Sequence, residues 1–356
     1  MITTAPQGST LQRITCPTPI TAQGQVQLGH GSGGKMSARL LRDRFLPRFS
    51  NQYLEGLGDG ARIPVEGSEV VISTDTFVVS PLEFPGGNIG HLAVHGTVND
   101  LAMMGAVPKY LSAGFVLEEG LELDVLDRIL DAMAEAAAAC GVDIVTGDTK
   151  VVDHGKADGL FVNTTGVGFL KGDFRPSPEL ARPGDSVIVS GPLGRHGMAV
   201  MAVREGLEFD ADIRSDTASL APLVAALRES VGPHVRCLRD ATRGGLASAL
   251  NEIAQASGVG VVLSGQPPVP PPVEAACEML GLDPLYVANE GVMVVFVAPE
   301  AEGDALAALR AHTVGASAVA IGHVVPEHPR MVVLRTGLGG TRVVDMLPGD
   351  QLPRIC

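Results

Sequence analysis

Residues 28–39 read LGHGSGGKMSAR, and the run from Gly29 to Lys35 has the GxxxxGK spacing of a phosphate-binding P-loop. A P-loop places Ser or Thr directly after the lysine to hold Mg2+. Here Met36 stands in that place and Ser37 comes one residue late. The preceding QVQL, residues 25–28, is too polar for the buried strand that feeds such a loop. Consecutive glycines can still turn backbone N–H groups towards an anion, with Lys35 offsetting phosphate charge. On this stretch alone an anion-binding loop and a plain hinge are equally open. If a nucleotide binds here, its metal must be held elsewhere in the chain.

Acidic residues in small-residue settings supply candidates. Asp75 in STD, Asn99-Asp100 in TVND, Asp148 in TGDTK and Asp240 in RDATRGG are all read as element boundaries. Any one of them alone reads as a helix cap or turn aspartate. Together with a glycine–lysine loop they point to a metal–nucleotide site, because Mg2+ takes one or two carboxylates plus phosphate oxygens and water. Lys150 follows Asp148 by two residues, so on a strand both face one side. Glu290, in ANEG, precedes an apolar strand. Each of these two alone reads as an ordinary ion-pair partner.

The chain has 356 residues, 45% hydrophobic and 19% charged, enough for two packed domains and against bulk disorder. Forty-four glycines and no tryptophan suit a turn-rich α/β protein. A formal charge of −14 argues against a nucleic-acid-binding or anionic-membrane surface, which would be basic. Five scattered cysteines without a CxxC pair, no signal-type segment and no bilayer-length apolar run point to the cytoplasm.

Periodicity predicts strands at EVVISTDTFVV (interrupted at Asp75), KYLSAGFVL, DIVTGDTKVV and LFVNTTGVGFL. Helices are expected at NIGHLAVHGTVNDLAMMGA and at 122–140, the second closed by Gly141. After a Pro-Gly turn at 183–184 the alternation repeats. The organisation expected is a flexible leader over 1–27, an N-terminal domain over 28–182, a C-terminal α/β domain over 183–344 and a mobile tail over 345–356. Cys356 ends that tail. It cannot be a prenylation signal, and a fraying terminus gives it little packing. It reads either as a chance surface thiol or as a carried nucleophile.

The stretches GHGSGGK, STDTFVV, FPGGNIG, TVNDLAMMGAVPKYLS, EEGL, VTGDTKVV, DATRGG, ANEG and the ending PRIC, in this order from about residue 27, resemble the HypE family of nickel–iron hydrogenase maturation proteins. That family is part of the superfamily of aminoimidazole ribonucleotide synthetase, selenophosphate synthetase and thiamine-phosphate kinase. The resemblance implies a two-domain α/β (α+β) fold whose N-terminal domains pair in a homodimer to make a β-barrel-like interface, with ATP bound nearby. It implies that Gly31, Gly33, Gly34 and Lys35 cover the triphosphate. Asp75, Asn99, Asp100, Asp148 and Asp240 would surround the nucleotide, and Asp75, Asp100 and Asp240 would hold Mg2+. The implied reaction is ATP-dependent carbamoyl dehydration. A partner, HypF, loads a carbamoyl group on Cys356, water is removed to leave a thiocyanate, and the cyano group passes to iron on a HypC–HypD complex. Glu290 is expected as the base, with Lys150 orienting the carboxamide. A kinase-like relative acting on a free small molecule and a non-enzymatic carrier are the competing readings.

Overall fold

The computed structural model describes residues 24–27, 39–51, 70–206, 212–336, 340–346 and 354–356. The first described piece corrects the expected leader. Val26 is 1% exposed, its N–H donates to Leu121 O and its carbonyl accepts from Gly120 N, so residues 24–27 are packed chain. Residues 39–49 are helical, as a π-turn over Leu41–Phe45 followed by α1 (Leu46–Phe49).

Four strands form the first sheet: β1 (Val70–Phe77), β4 (Ala106–Glu118), β5 (Asp143–Val152) and β6 (Leu160–Leu170), in the order β1-β6-β4-β5. A two-residue ladder of β2 (Glu83–Phe84) and β3 (Gly87–Asn88) precedes α2 (Ile89–Met103). Only β4 and β5 run parallel, and parallel neighbours need a crossover. That crossover is α3 (Leu123–Cys140), which stops at Gly141 in the left-handed conformation, φ 66°. Asp75 does not interrupt β1. It sits in register with Thr164, inside the strand.

Strand alternation decides which side of this sheet is covered. Odd positions of β1 face α2: a Cβ on Gly96 of α2 would meet the Phe77 ring at 2.8 Å and lie 3.6 Å from an Asp75 carboxylate oxygen. Even positions face away, and Val70 and Ile72 are 43% and 68% exposed there. In α2, thirteen of fifteen residues are buried, because the helix lies between this sheet and the second half of the chain. Asn88 caps it by accepting from the N–H groups of Gly90 and His91 at 2.9 and 3.2 Å.

The second sheet contains β7 (Ser186–Val189), β8 (Val235–Asp240), β9 (Gly260–Leu263), β10 (Met293–Val297), β11 (Val319–Val325), β12 (Val332–Arg335) and β13 (Thr341–Val344). Its order is β13-β12-β9-β11-β7-β10-β8, antiparallel except for β12 with β9. Continuous apolar runs such as MVVFV are buried on both faces, as central strands require. Val294 and Phe296 pack with α6 (Gly245–Ser257), while Met293, Val295 and Val297 pack with α5 (Ala221–Val231) and α8 (Glu302–Arg310). A third group, α4 (Arg195–Arg204) and α7 (Pro271–Leu280), joins the core of the first sheet together with Ile355.

Candidate active site

The loop ANEG, residues 288–291, leads into β10 and follows a single 3-10 turn at Pro284–Tyr286. Asn289 is fully buried and fastens it. Its Oδ1 accepts from Gly194 N at 2.7 Å, and its Nδ2 donates to Ala241 O and Val287 O at 2.8 and 3.1 Å. The two oxygens of Asp216 accept from the N–H groups of Glu290 and Gly291, both at 3.3 Å. Gly291 is required by close approach, since a Cβ there would overlap the Asp216 carbonyl. The backbone of Glu290 is thus fixed, while its carboxyl is left over. Glu290 is 3% exposed, and Oε1 has no hydrogen-bond partner among the described residues. Burial, then the charges of Asp240, Asp216, Asp75 and Asp100, raise its pKa well above the ordinary carboxyl value.

The three expected metal aspartates come from three different elements into this neighbourhood. Asp75 lies inside β1 with Thr76 N donating to its Oδ1 at 2.7 Å. Asp100 lies on α2 and accepts from Ser73 Oγ at 2.7 Å. Asp240 is the last residue of β8, the only one of the four candidate aspartates that does end a strand. Burial raises all three, Asp240 to about 7, and each of Asp100 and Asp240 is raised further by its acidic neighbours. Among the described residues, no three His, Cys, Asp or Glu side chains form a closed metal-binding group. The all-oxygen donors and their mutual repulsion instead suit Mg2+ shared with phosphate oxygens.

Cys356 is not a frayed end. Val78 N donates to Cys356 O at 3.1 Å and Ser80 N to Arg354 O at 3.3 Å, so the last residues are tied to the segment that follows β1. Ile355 is 1% exposed in the core shared with α4 and α7. Its carbonyl accepts from His196 Nε2 at 2.8 Å, which leaves His196 Nδ1 to accept from Ser215 Oγ at 2.9 Å. Burial pushes His196 down to about 4, so the ring is neutral. Arg204 clamps two carbonyls, Ser80 O at 2.6 Å and Arg354 O at 2.7 Å. Arg354 pairs with Asp158 and lies over the Phe161 ring. Fraying is a property of an unattached end, and tertiary hydrogen bonds override it here. The Cys356 thiol meets Arg243 Nη2 at 3.5 Å and is pushed up to about 12 by burial, then by the charge of Glu290.

Asp148 and Lys150 are not brought into this cluster. They do share a face of β5 and pair with each other at 2.7 Å, both exposed. That face is the uncovered one, because Asp148 is in line with Gly114, Asn163 and Thr76, while Asp75 points the opposite way. Within one chain Lys150 therefore does not stand beside Glu290. Asn99 is 2% exposed and bonded within the protein: its Nδ2 donates to Ala218 O at 3.0 Å and to Glu290 O at 3.5 Å, and its Oδ1 accepts from Leu220 N at 2.7 Å. It ties α2 to the 215–220 segment and to the loop that carries Glu290. Gly31, Gly33, Gly34 and Lys35 lie outside the described residues.

Comparison with known proteins puts a family on this geometry. Residues 57–170 match the N-terminal domain of AIR synthase related proteins and residues 182–334 the C-terminal domain. Carbamoyl dehydratase HypE of Rhizobium leguminosarum bv. viciae is 53% identical over 336 residues, 94% of this chain and 96% of that protein. The chain belongs to the HypE family. A HypE crystal structure in complex with ATP superposes with a TM-score of 0.89 at 48% identity, covering 92% of this chain and 99% of that one. A HypE–HypF complex gives 0.76 at 44% identity, covering 86% and 99%. The two-domain AIR-synthase-like fold expected from the sequence is the one this chain has.

Sequence reasoning missed Arg243, His196, Arg204 and Asp216. Arg243 lies inside DATRGG, where only Asp240 is singled out; an arginine beside two glycines was a usable signal. The others had none: His196 and Arg204 lie on α4, whose pattern is not amphipathic, and Asp216 lies in an irregular segment.

Proposed function

We propose that this chain is an ATP-dependent carbamoyl dehydratase that acts on its own Cys356. The carboxamide carried there, S–C(=O)NH2, becomes a thiocyanate, S–C≡N, while ATP becomes ADP and phosphate. The carboxamide oxygen ends in the phosphate, and both amide protons are lost. The observation that carries this reading is the Cys356 thiol held at Arg243 within the electrostatic reach of Glu290, whose Oε1 is buried with no hydrogen-bond partner among the described residues.

Each step has a group for it. An amide oxygen is a poor leaving group, and transfer of the γ-phosphoryl group makes it a good one. Mg2+, held by Asp75, Asp100 and Asp240 with phosphate oxygens, would offset charge on that group. Glu290 takes the amide protons, and its raised basicity suits the task. Arg243, already on the sulfur, meets the group attached to it. The expected glycine loop and Lys35 would close over the triphosphate.

The pocket also orders the reaction. A thiol pushed up to about 12 is a poor nucleophile at neutral pH, so loading belongs outside the groove. The S-carboxamide carries no charge and meets no such penalty on return. Loading by HypF agrees with the solved complex of a relative, and delivery to a HypC–HypD iron complex completes the proposed sequence. The bare face of the first sheet, with Val70, Ile72, Asp148 and Lys150, is the surface proposed for homodimer pairing. Any role of Lys150 at the nucleotide goes with that pairing. No helix among the described residues is long and apolar enough to cross a membrane.

The test uses HypF-loaded protein. Cys356→Ala should never acquire the carbamoyl mass. Glu290→Gln should acquire it and keep it when MgATP is added, with turnover reduced ~100-fold or more. Dehydration by Glu290→Gln at the wild-type rate would remove Glu290 from the mechanism.

A further inference from the structure

We infer that residues 215–220, SDTASL, form a brace that sets the place of the Glu290 carboxyl relative to Asp100 on α2, with Asp216 as its chief positioning residue. Only the rate measurements in the test below rest on the dehydratase reading.

The two groups stand in different halves of the chain. Glu290 belongs to the loop before β10, within the part matched to the C-terminal domain, and Asp100 to α2, within the N-terminal part. The two large sheets share no strand, so the registry between these groups rests on loop and side-chain contacts. Residues 215–220 grip both sides. On the loop side, Asp216 accepts from Glu290 N and Gly291 N at 3.3 Å, and Ala218 N donates to Glu290 O at 3.4 Å. The peptide groups before and after the Glu290 Cα are thereby held, and its side-chain torsions are what remains free. On the helix side, Asn99 Nδ2 donates to Ala218 O at 3.0 Å and Asn99 Oδ1 accepts from Leu220 N at 2.7 Å. Four residues earlier, on the same face of α2, His95 Nδ1 meets Thr217 Oγ1 at 3.0 Å. Asn99 Nδ2 also reaches Glu290 O at 3.5 Å, which closes the ring of contacts. Ser215 N donates to Pro85 O at 2.8 Å and anchors the start of the segment to the turn ahead of α2.

A carboxylate is the group this arrangement needs. Two consecutive N–H donors converge on residue 216, and a carboxylate offers two acceptor oxygens where an amide offers one acceptor and one donor group. Burial pushes Asp216 up to about 6, still short of neutrality, so the ionised form meets those donors at pH 7. Asp216 acts on the reaction through Glu290. Its loss should slow the chemical step and spare nucleotide binding, since a displacement of about 1 Å can cost ~100-fold in rate.

The experiment compares wild type, Asp216→Asn and Asp216→Ala as full-length protein loaded by HypF. Water loss from the group on Cys356 is followed by intact mass over a series of MgATP concentrations. Hydrogen exchange is measured at the amides of residues 289–292. Asp216→Asn keeps the shape and one acceptor, and it carries the test should Asp216→Ala fail to fold. The maximal rate should fall ~10-fold in Asp216→Asn and ~100-fold in Asp216→Ala, with the MgATP concentration for half-maximal rate within about twofold of wild type. The amides should exchange at least ~10-fold faster in Asp216→Ala and measurably faster in Asp216→Asn. Asn99→Ala, which releases the helix side, should also slow water loss, and its combination with Asp216→Ala should fall well short of the product of the single losses. A wild-type maximal rate in Asp216→Ala, a rate restored by excess MgATP, a fully multiplicative double variant, or unchanged exchange in a folded variant would overturn the proposal. If wild type itself loses no water, the dehydratase reading fails and exchange alone decides: faster exchange upholds the brace, and unchanged exchange removes it.

Discussion

Alkylation of Cys356 reads the docked tail directly. In the groove the thiol is pushed from an ordinary 9.0 to about 12, mainly by burial. At pH 8 that leaves about one thiolate in ten thousand, against about one in ten for a free thiol, a difference of roughly a thousandfold in the reactive species. Iodoacetamide should therefore modify wild-type Cys356 only during excursions from the groove. Arg354→Glu sets like charges against each other at Asp158 and loses the contact with Phe161; Arg204→Ala removes the clamp on Arg354 O. Both variants should react at least ~10-fold faster than wild type, with the free 345–356 peptide as the ceiling near a thousandfold. The assay follows mass on the peptide that carries Cys356, so that Cys16, Cys140, Cys237 and Cys277 do not contribute. Wild type reacting as fast as the free peptide, with native spectra, would show that the thiol is neither buried nor held.

Two further outcomes test the surrounding site. Asp240 is raised from 3.8 to about 7, so its favourable contribution is present below its unfolded value and is lost as pH rises through about 7. Metal-free protein should lose stability across that window, by roughly 4 kcal/mol from this group if the whole rise is expressed. In urea melts, Asp240→Asn should flatten the pH slope, and an unchanged slope would contradict the burial of that carboxyl. Lys35→Ala should weaken ATP binding in calorimetry while leaving carbamoylation of Cys356 intact; unchanged ATP affinity would remove the loop from the nucleotide site.

Much of the fold was legible because period is a local property. The alternation in DIVTGDTKVV and LFVNTTGVGFL gives β5 and β6 to their full length, and Gly141 closes α3 where a left-handed residue is required. By contrast α4 shows no stripe to read, because residues 196–200 are all buried, and it carries both His196 and Arg204. Alternation correctly put Asp148 and Lys150 on one face. It could not say which face of the sheet is covered, since that depends on where α2 packs. Asn99-Asp100 shows the same limit within two adjacent residues. One side chain faces the acidic cluster and the other bolts α2 to the 215–220 segment. The composition of the tail suggested a mobile arm, yet Ile355 is core because a pocket made by distant elements receives it.

The most direct measurement is the intact mass of the carbamoylated protein before and after MgATP. The expected result is loss of one water from the group on Cys356, with one ADP and one phosphate formed per group. A mass that stays unchanged while the thiol remains carbamoylated and ATP is bound would contradict the dehydratase reading.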